Sequence, residues 1–187
     1  AQDFQKLGAC LLNGDQVGHE VLGLSHVREA LVARWGERVL DDDGELDRSA
    51  IAGIVFETTK SKKANRELAF LESITHPEIE KRLKQRIEQV KDLGRFQVVV
   101  LDAAVMLKTG WDAMCDHLVF VEAPLPLRRK RALLRGLSEE QFESREAAQI
   151  PVKEKKKRAD FVIDNSGPPQ KTYRQVEKVW QSLVEIA

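Results

Sequence analysis

Residues 96–102 read FQVVVLD, a short run with three valines and a leucine side by side that closes on an acid. Such a run has no polar face, so as a strand it must be covered on both sides. Its valines favour extended backbone, and it is too short for an ordinary helix. Three other runs share this character: ACLL (9–12), HLVFVE (117–122) and FVID (161–164).

Between the runs, apolar residues recur with helical period. In SHVREALVARWG (25–36), Ser25 is placed to cap, Val27, Leu31 and Trp35 share a face, and Gly36 can end the helix. After Asp47, the residues Ile51, Ile54, Val55 and Phe56 form another face. THPEIEKRLKQRIEQVKD (75–92) offers Thr75 and Glu78 as a capping box, with Pro77 in the first turn and a stripe of Ile79, Leu83, Ile87 and Val90. The segment 170–187 carries Tyr173, Val176, Trp180, Leu183 and Val184. Asp3 to Leu7 reads as the end of a helix closed by Gly8.

Buried strands separated by helices predict a parallel sheet covered on both faces, an α/β/α arrangement. Ligands in such folds bind at the carboxyl ends of the strands. That singles out Asp15, Asp102, Glu122 and the Asp164–Asn165 pair. The stretch 37–95 is too long for a simple crossover and reads as a helical insertion.

The chain has 187 residues, which suits one domain, and 30 basic residues balance 30 acidic ones. No whole-chain field therefore points to nucleic acid or to a membrane surface. Charged residues make up 32%, which suits exposed helices better than a β-sandwich. The two cysteines, Cys10 and Cys115, show neither a disulfide pattern nor metal-ligand spacing, which fits a reducing cytosol. No signal peptide or membrane-length apolar run is present in these residues. No residue is assigned as a metal ligand.

Asp15 follows the first strand and the Asn13-Gly14 turn, where it suits a helix cap as well as a reacting carboxylate. His76 suits a cap or a packed histidine as well as a ligand contact. Arg128, Arg131 and Arg135 recur at spacings of three and four after HLVFVE and can line one helix face. With Arg145 they suit a clamp for phosphates, because guanidinium groups pair with phosphate oxygens bidentately. They equally suit ion pairs with Glu139, Glu140 and Glu143. The run VKEKKKRAD (152–160) reads as a solvated helix face, since no aromatic residues are interleaved to stack bases.

Taken in order, LGACLLNGDQVGHEVL, DRSAIAGIVF, LESITHPEIEKRL, VVVLDAAVML, the R-x-x-R-x-x-x-R spacing and REAAQIPVKEKKKRADFVIDNSG resemble the dephospho-CoA kinase family along nearly the whole chain. The resemblance implies a P-loop NTPase-type kinase fold. Its core would be about 1–24, 96–136 and 159–187, with a helical acceptor-binding insertion at about 25–95 and a lid at about 137–158. It implies ATP and Mg²⁺ as reactants and dephospho-CoA as partner, phosphorylated on its ribose 3′-hydroxyl. Asp15 then faces the acceptor hydroxyl, and His76, Pro77 and Asp102 belong to the acceptor side. Arg131, Arg135 and Arg145 correspond to lid arginines on the phosphates, and Asn165 and Gly167 to the loop at the adenine.

The chain departs from the family pattern at Asn13-Gly14-Asp15, where only the last acid of an Asp-Ala-Asp remains. It departs again at 102–108, where Ala104 replaces a proline and Lys108 an acid, so a related acceptor stays open. No G-x-x-x-x-G-K-S/T motif occurs in these residues. The expectation is that about 15–25 residues upstream of Ala1 supply an interior strand and that loop. A relative that binds a CoA-like nucleotide without catalysis, and an interaction module using 153–158, are the alternatives.

Overall fold

The structure, a computed structural model, describes residues 1–56 and 62–186. In chain order the elements are α1 (Gln2–Lys6), β1 (Cys10–Asn13), α2 (Gly14–Leu22), α3 (Ser25–Trp35), α4 (Arg48–Phe56), α5 (Lys62–Leu93), β2 (Val99–Asp102), α6 (Met106–Thr109), β3 (Val119–Glu122), α7 (Leu125–Leu134), α8 (Glu139–Ala147), α9 (Val152–Arg158), β4 (Phe161–Asp164) and α10 (Pro169–Ile186). Short 3-10 turns lie at Glu37–Val39 and Trp111–Met114. The chain packs as two compact units, one of residues 1–12 with 86–187 and one of residues 13–85.

In the first unit the strands pair as two ladders, β1 with β2 and β3 with β4. β3 and β4 run parallel, in register from Val119 opposite Phe161 to Glu122 opposite Asp164. That register sets two carboxyl-terminal acids side by side. A core of Phe4, Ala9, Ile163, Val176 and Val179 lies beneath, with Val98, Val100, Val119, Phe161, Trp180 and Leu183 packed against it. α1, β2, β3, β4 and one stripe of α10 therefore share a single apolar cluster. Fully burying a side chain such as Phe4, Ile163 or Val176 stabilises by about 1.5–3 kcal/mol. Gly8 closes α1 with φ of 112°, a backbone that favours glycine even though a Cβ there would meet the Trp180 ring at an ordinary 3.8 Å.

In the second unit Val17, Val21, Val27, Leu31, Val39, Ile51, Val55, Ile79 and Leu83 are buried, and most belong to the expected helical faces. Glu67 ties α3 to α5: it accepts from Arg34 Nε and Nη2 at 3.1 and 2.9 Å, and from Trp35 Nε1 at 2.7 Å. The Trp35 ring meets Phe70 edge-on at 5.7 Å, and Arg34 stands over the Phe70 ring at 5.0 Å.

Two expected caps fall elsewhere. Ser25 is the first residue of α3 rather than its cap; Leu24 holds that place with no side-chain bond. Only Gly23 and Leu24 separate α2 from α3, and the Leu24 carbonyl already accepts from Arg28 N–H at 2.9 Å. Thr75 does not start a helix either. α5 runs through it, with Pro77 in the interior instead of the first turn. Thr75 is buried and its hydroxyl donates back to the Leu71 carbonyl at 2.8 Å. Pro77 has no N–H to offer the carbonyl four residues earlier. The preceding turns are held by Glu67 and Phe70 against α3, and this tertiary anchoring outweighs the local stop signal.

Candidate active site

The second unit carries Asp15, His76 and Pro77. Asn13 is the residue that caps α2, its Oδ1 accepting from the backbone N–H of Asp15 at 2.9 Å and of Gln16 at 3.1 Å. The capping reading of Asp15 is thereby corrected. Asp15 occupies the first turn of α2, exposed, and its carboxylate has no partner among the described residues. Asn13, which precedes Asp15 by two residues, is a strong capper by residue type, and the first turn of the helix spends none of the Asp15 oxygens. A carboxylate fixed at its backbone and unengaged at its tip can orient a hydroxyl and take its proton.

His76 is half-buried in α5, and Pro77 beside it is exposed. The next residue, Glu78, pairs with His26 Nε2 at 3.2 Å. One turn on, Arg82 reaches Glu20 of α2 at 3.6 Å, and Ile79 packs near Gly18. His76 and Pro77 thus sit on a stretch of α5 held against α2 and α3. His19 of α2 approaches Arg48 of α4, Nδ1 to Nη1, at 3.0 Å.

The first unit carries Asp102, the arginines and the 164–167 loop. The structure divides the arginines into two sets. Arg128 donates to Glu146 and Arg129 to Glu139. Arg131, half-buried, and Arg135 and Arg145, exposed, have no acidic partner among the described residues. None of the ion pairs expected for Arg128, Arg131, Arg135 or Arg145 with Glu139, Glu140 or Glu143 forms among the described residues; Glu139 is taken instead by Arg129, an arginine outside the expected set. Arg135 closes α7, followed by Gly136 at φ 87°.

At the β3–β4 ends, Asn165 N–H donates to the Glu122 carbonyl at 2.8 Å, and Thr172 Oγ1 donates to Asn165 Oδ1 at 3.1 Å. Asp164 takes Lys171 Nζ at 2.7 Å and Ser166 N–H at 2.8 Å. These bonds, Lys171 first, hold its carboxyl well below the usual carboxylate range. Gln175 braces the same turn from α10, accepting from Asp164 N–H at 2.9 Å and donating to the Asp164 carbonyl at 2.8 Å. A Cβ at Gly167 would stand 3.0 Å from Lys171 Cδ, so a larger residue there must displace the lysine. Lys171, Thr172 and Gln175 were absent from the sequence reading. Their helical spacing after the strand end was the available signal.

Asp102 ends β2, exposed and with no partner among the described residues. The altered stretch after it folds as α6, which Gly110 closes in the left-handed region at φ 78°. The basic segment of α9 is largely committed: Lys155 donates to Gln149 at 2.6 Å, Lys156 pairs with Glu122 at 2.6 Å, and Arg158 pairs with Asp112. These cations fasten α9 to the rest of its unit.

Uncommitted guanidinium groups and a braced turn at paired strand ends suit a nucleotide polyphosphate. Among the described residues no group of three His, Cys, Asp or Glu could cage a metal. Mg²⁺ needs no such cage, because it enters on one or two carboxylates and the substrate's phosphates. No described helix is long and apolar enough to cross a membrane.

A crystal structure of a Thermus thermophilus protein aligns at TM-score 0.78 and 28% identity, covering 97% of this chain and 87% of that one. The dephospho-CoA kinase from Campylobacter jejuni aligns at TM-score 0.68 and 22% identity, over 97% and 88% of the two chains, and speaks to the fold alone. The fold is the three-layer α/β/α type of the P-loop kinases. The family model CoaE, dephospho-CoA kinase, matches residues 1–170. The dephospho-CoA kinase of Aquifex aeolicus is 40% identical over 98% of this chain and 89% of its own length. That of Moorella thermoacetica is 37% identical over 96% and 83%. The chain belongs to the dephospho-CoA kinase family.

Proposed function

We propose that the protein transfers the γ-phosphoryl group of ATP to the ribose 3′-hydroxyl of dephospho-CoA, giving coenzyme A, in the cytoplasm. The observation that carries this reading is the division of the arginines. In a chain of this family, Arg131, Arg135 and Arg145 stand uncommitted while their neighbours Arg128 and Arg129 are consumed by acids.

Phosphoryl transfer asks the protein for positioning and charge neutralisation more than for covalent chemistry. Asp15 orients the acceptor hydroxyl and accepts its proton, a role supported by the carboxylate left free when Asn13 caps α2. Arg135 and Arg145 stabilise charge on the transferring group, and Arg131 holds the phosphates. Asn165 and Gly167 bind the adenine end from the braced turn. His76, Pro77 and Asp102 bind the acceptor, on a helical insertion of about 25–95 and at the end of β2. The segment of about 137–158 acts as a lid that excludes water, against which hydrolysis would compete. Mg²⁺ supplies positive charge to the phosphates when bound.

A transfer assay with MgATP and dephospho-CoA tests this, with pantothenate-side precursors and nucleoside monophosphates as controls and chelator removal of Mg²⁺ as a further arm. Preference for another acceptor would move the assignment to a related small-molecule kinase, the reading that Ala104 and Lys108 favour. Nucleotide binding with no transfer to any acceptor would refute the catalytic reading.

A further inference from the structure

Arg128 lies on the same flank of α7 as the site arginines, three residues before Arg131 and seven before Arg135. Its Nη1 donates to both Glu146 oxygens, at 2.6 and 2.5 Å, while its Nε is buried without an acceptor among the described residues. Glu146 belongs to α8 and directly follows Arg145. Lys155 of α9 closes the junction by donating to Gln149, two residues past the end of α8. Burial lowers the Lys155 pKa, Glu146 raises it and Arg128 lowers it, so the three groups share one neighbourhood. α8 itself is weakly held by apolar contacts: it has nine residues and one buried side chain, Phe142. A helix so short does not fix its own position. Its first turn is also tied to α7 by Arg129 and Glu139, but that pair is about half exposed on both sides and is screened by water.

We propose that the Arg128–Glu146 pair is a positioning device that locks the end of α8 to α7, holding Arg145 in fixed register with Arg131 and Arg135. The inference rests on the phosphoryl-transfer reading above. A guanidinium must meet the charge that develops during transfer, and a misplacement of about 1 Å costs on the order of a hundredfold in rate. Arg128 and Glu146 touch no reacting atom; they act through Arg145.

The test makes Glu146→Gln in the otherwise unchanged protein and in an Arg145→Ala background, with Glu139→Gln as control. Glu146→Gln is expected to lower kcat roughly ten- to hundredfold with KM for ATP little changed. It should cost little more once Arg145 is gone, because two groups acting as one unit are not additive. Glu139→Gln should leave kcat nearly unchanged. An equal loss in both backgrounds, or unchanged kcat with a lower melting temperature, overturns the proposal. Hydrogen exchange gives a readout that needs no turnover: Glu146→Gln should speed exchange of the α8 amides and leave β3 and β4 protected. Selective loosening in a protein that transfers no phosphate would sink the kinase reading but keep the register claim. Unchanged α8 exchange would sink the register claim itself.

Discussion

Replacing Asp15 with asparagine separates chemistry from folding at this position. The α2 cap is Asn13, whose Oδ1 takes two backbone N–H groups, so Asp15→Asn leaves both bonds in place. What folding loses is one negative charge in the first turn of a helix, worth about 0.3–1 kcal/mol when exposed. In a chain of this size, 1 kcal/mol moves Tm by about 2–4 °C. The substitution should therefore shift Tm by a few degrees at most. Turnover should fall by about 10²–10⁴, the contribution of a positioned general base. Asn13→Ala supplies the contrast: it removes the cap, costs about 0.5–2 kcal/mol, and should lower Tm by more than Asp15→Asn does. Steady-state transfer to dephospho-CoA and thermal unfolding of both variants decide the matter. Full turnover in Asp15→Asn would refute the proton-acceptor role. A larger loss of Tm in that variant than in Asn13→Ala would refute the assignment of the cap.

Arg135→Ala and Arg145→Ala should each lower kcat on the order of a hundredfold while leaving Tm nearly unchanged, because neither side chain has an acidic partner among the described residues. Unaltered kcat with reduced Tm in calorimetry would make them structural. Glu67→Ala should destabilise by about 1–3 kcal/mol in denaturant unfolding, because it strands the Trp35 N–H while the exposed Arg34 guanidinium stays solvated. A loss below about 1 kcal/mol would mean water takes over both donors. The Asp164 carboxyl titrates lower folded than unfolded, so its stabilisation is present above the ordinary value of 3.8 and is lost as pH falls below it. The stability gap between the protein and Asp164→Asn should accordingly close in acid, and a gap that widens there would contradict the Lys171 pairing.

Much of the fold lay open in local sequence. The strands FQVVVLD, HLVFVE and FVID are apolar at adjacent positions, a pattern that suits a covered sheet, although Val121 of β3 and Val162 of β4 stand exposed. Val27, Leu31 and Trp35, and Ile51 with Val55, took the buried faces their spacing assigns. The family was also present in the linear order of its motifs. Register and partner choice were not. Thr75 and Pro77 carry every local mark of a helix start, yet α5 passes through them because Glu67 and Phe70, a few residues upstream, are held by α3. The arginines show the same limit more sharply. Arg128, Arg129, Arg131 and Arg135 are one chemistry on one helix, and sequence offers each the same nearby acids. Only the packing of α8 on α7 decides that Glu146, 18 residues away, takes Arg128, that Glu139 takes Arg129, and that the others are left without an acidic partner among the described residues. A charge pair depends on distances of a few ångströms, and those are set by the tertiary fold that brings distant segments of chain together.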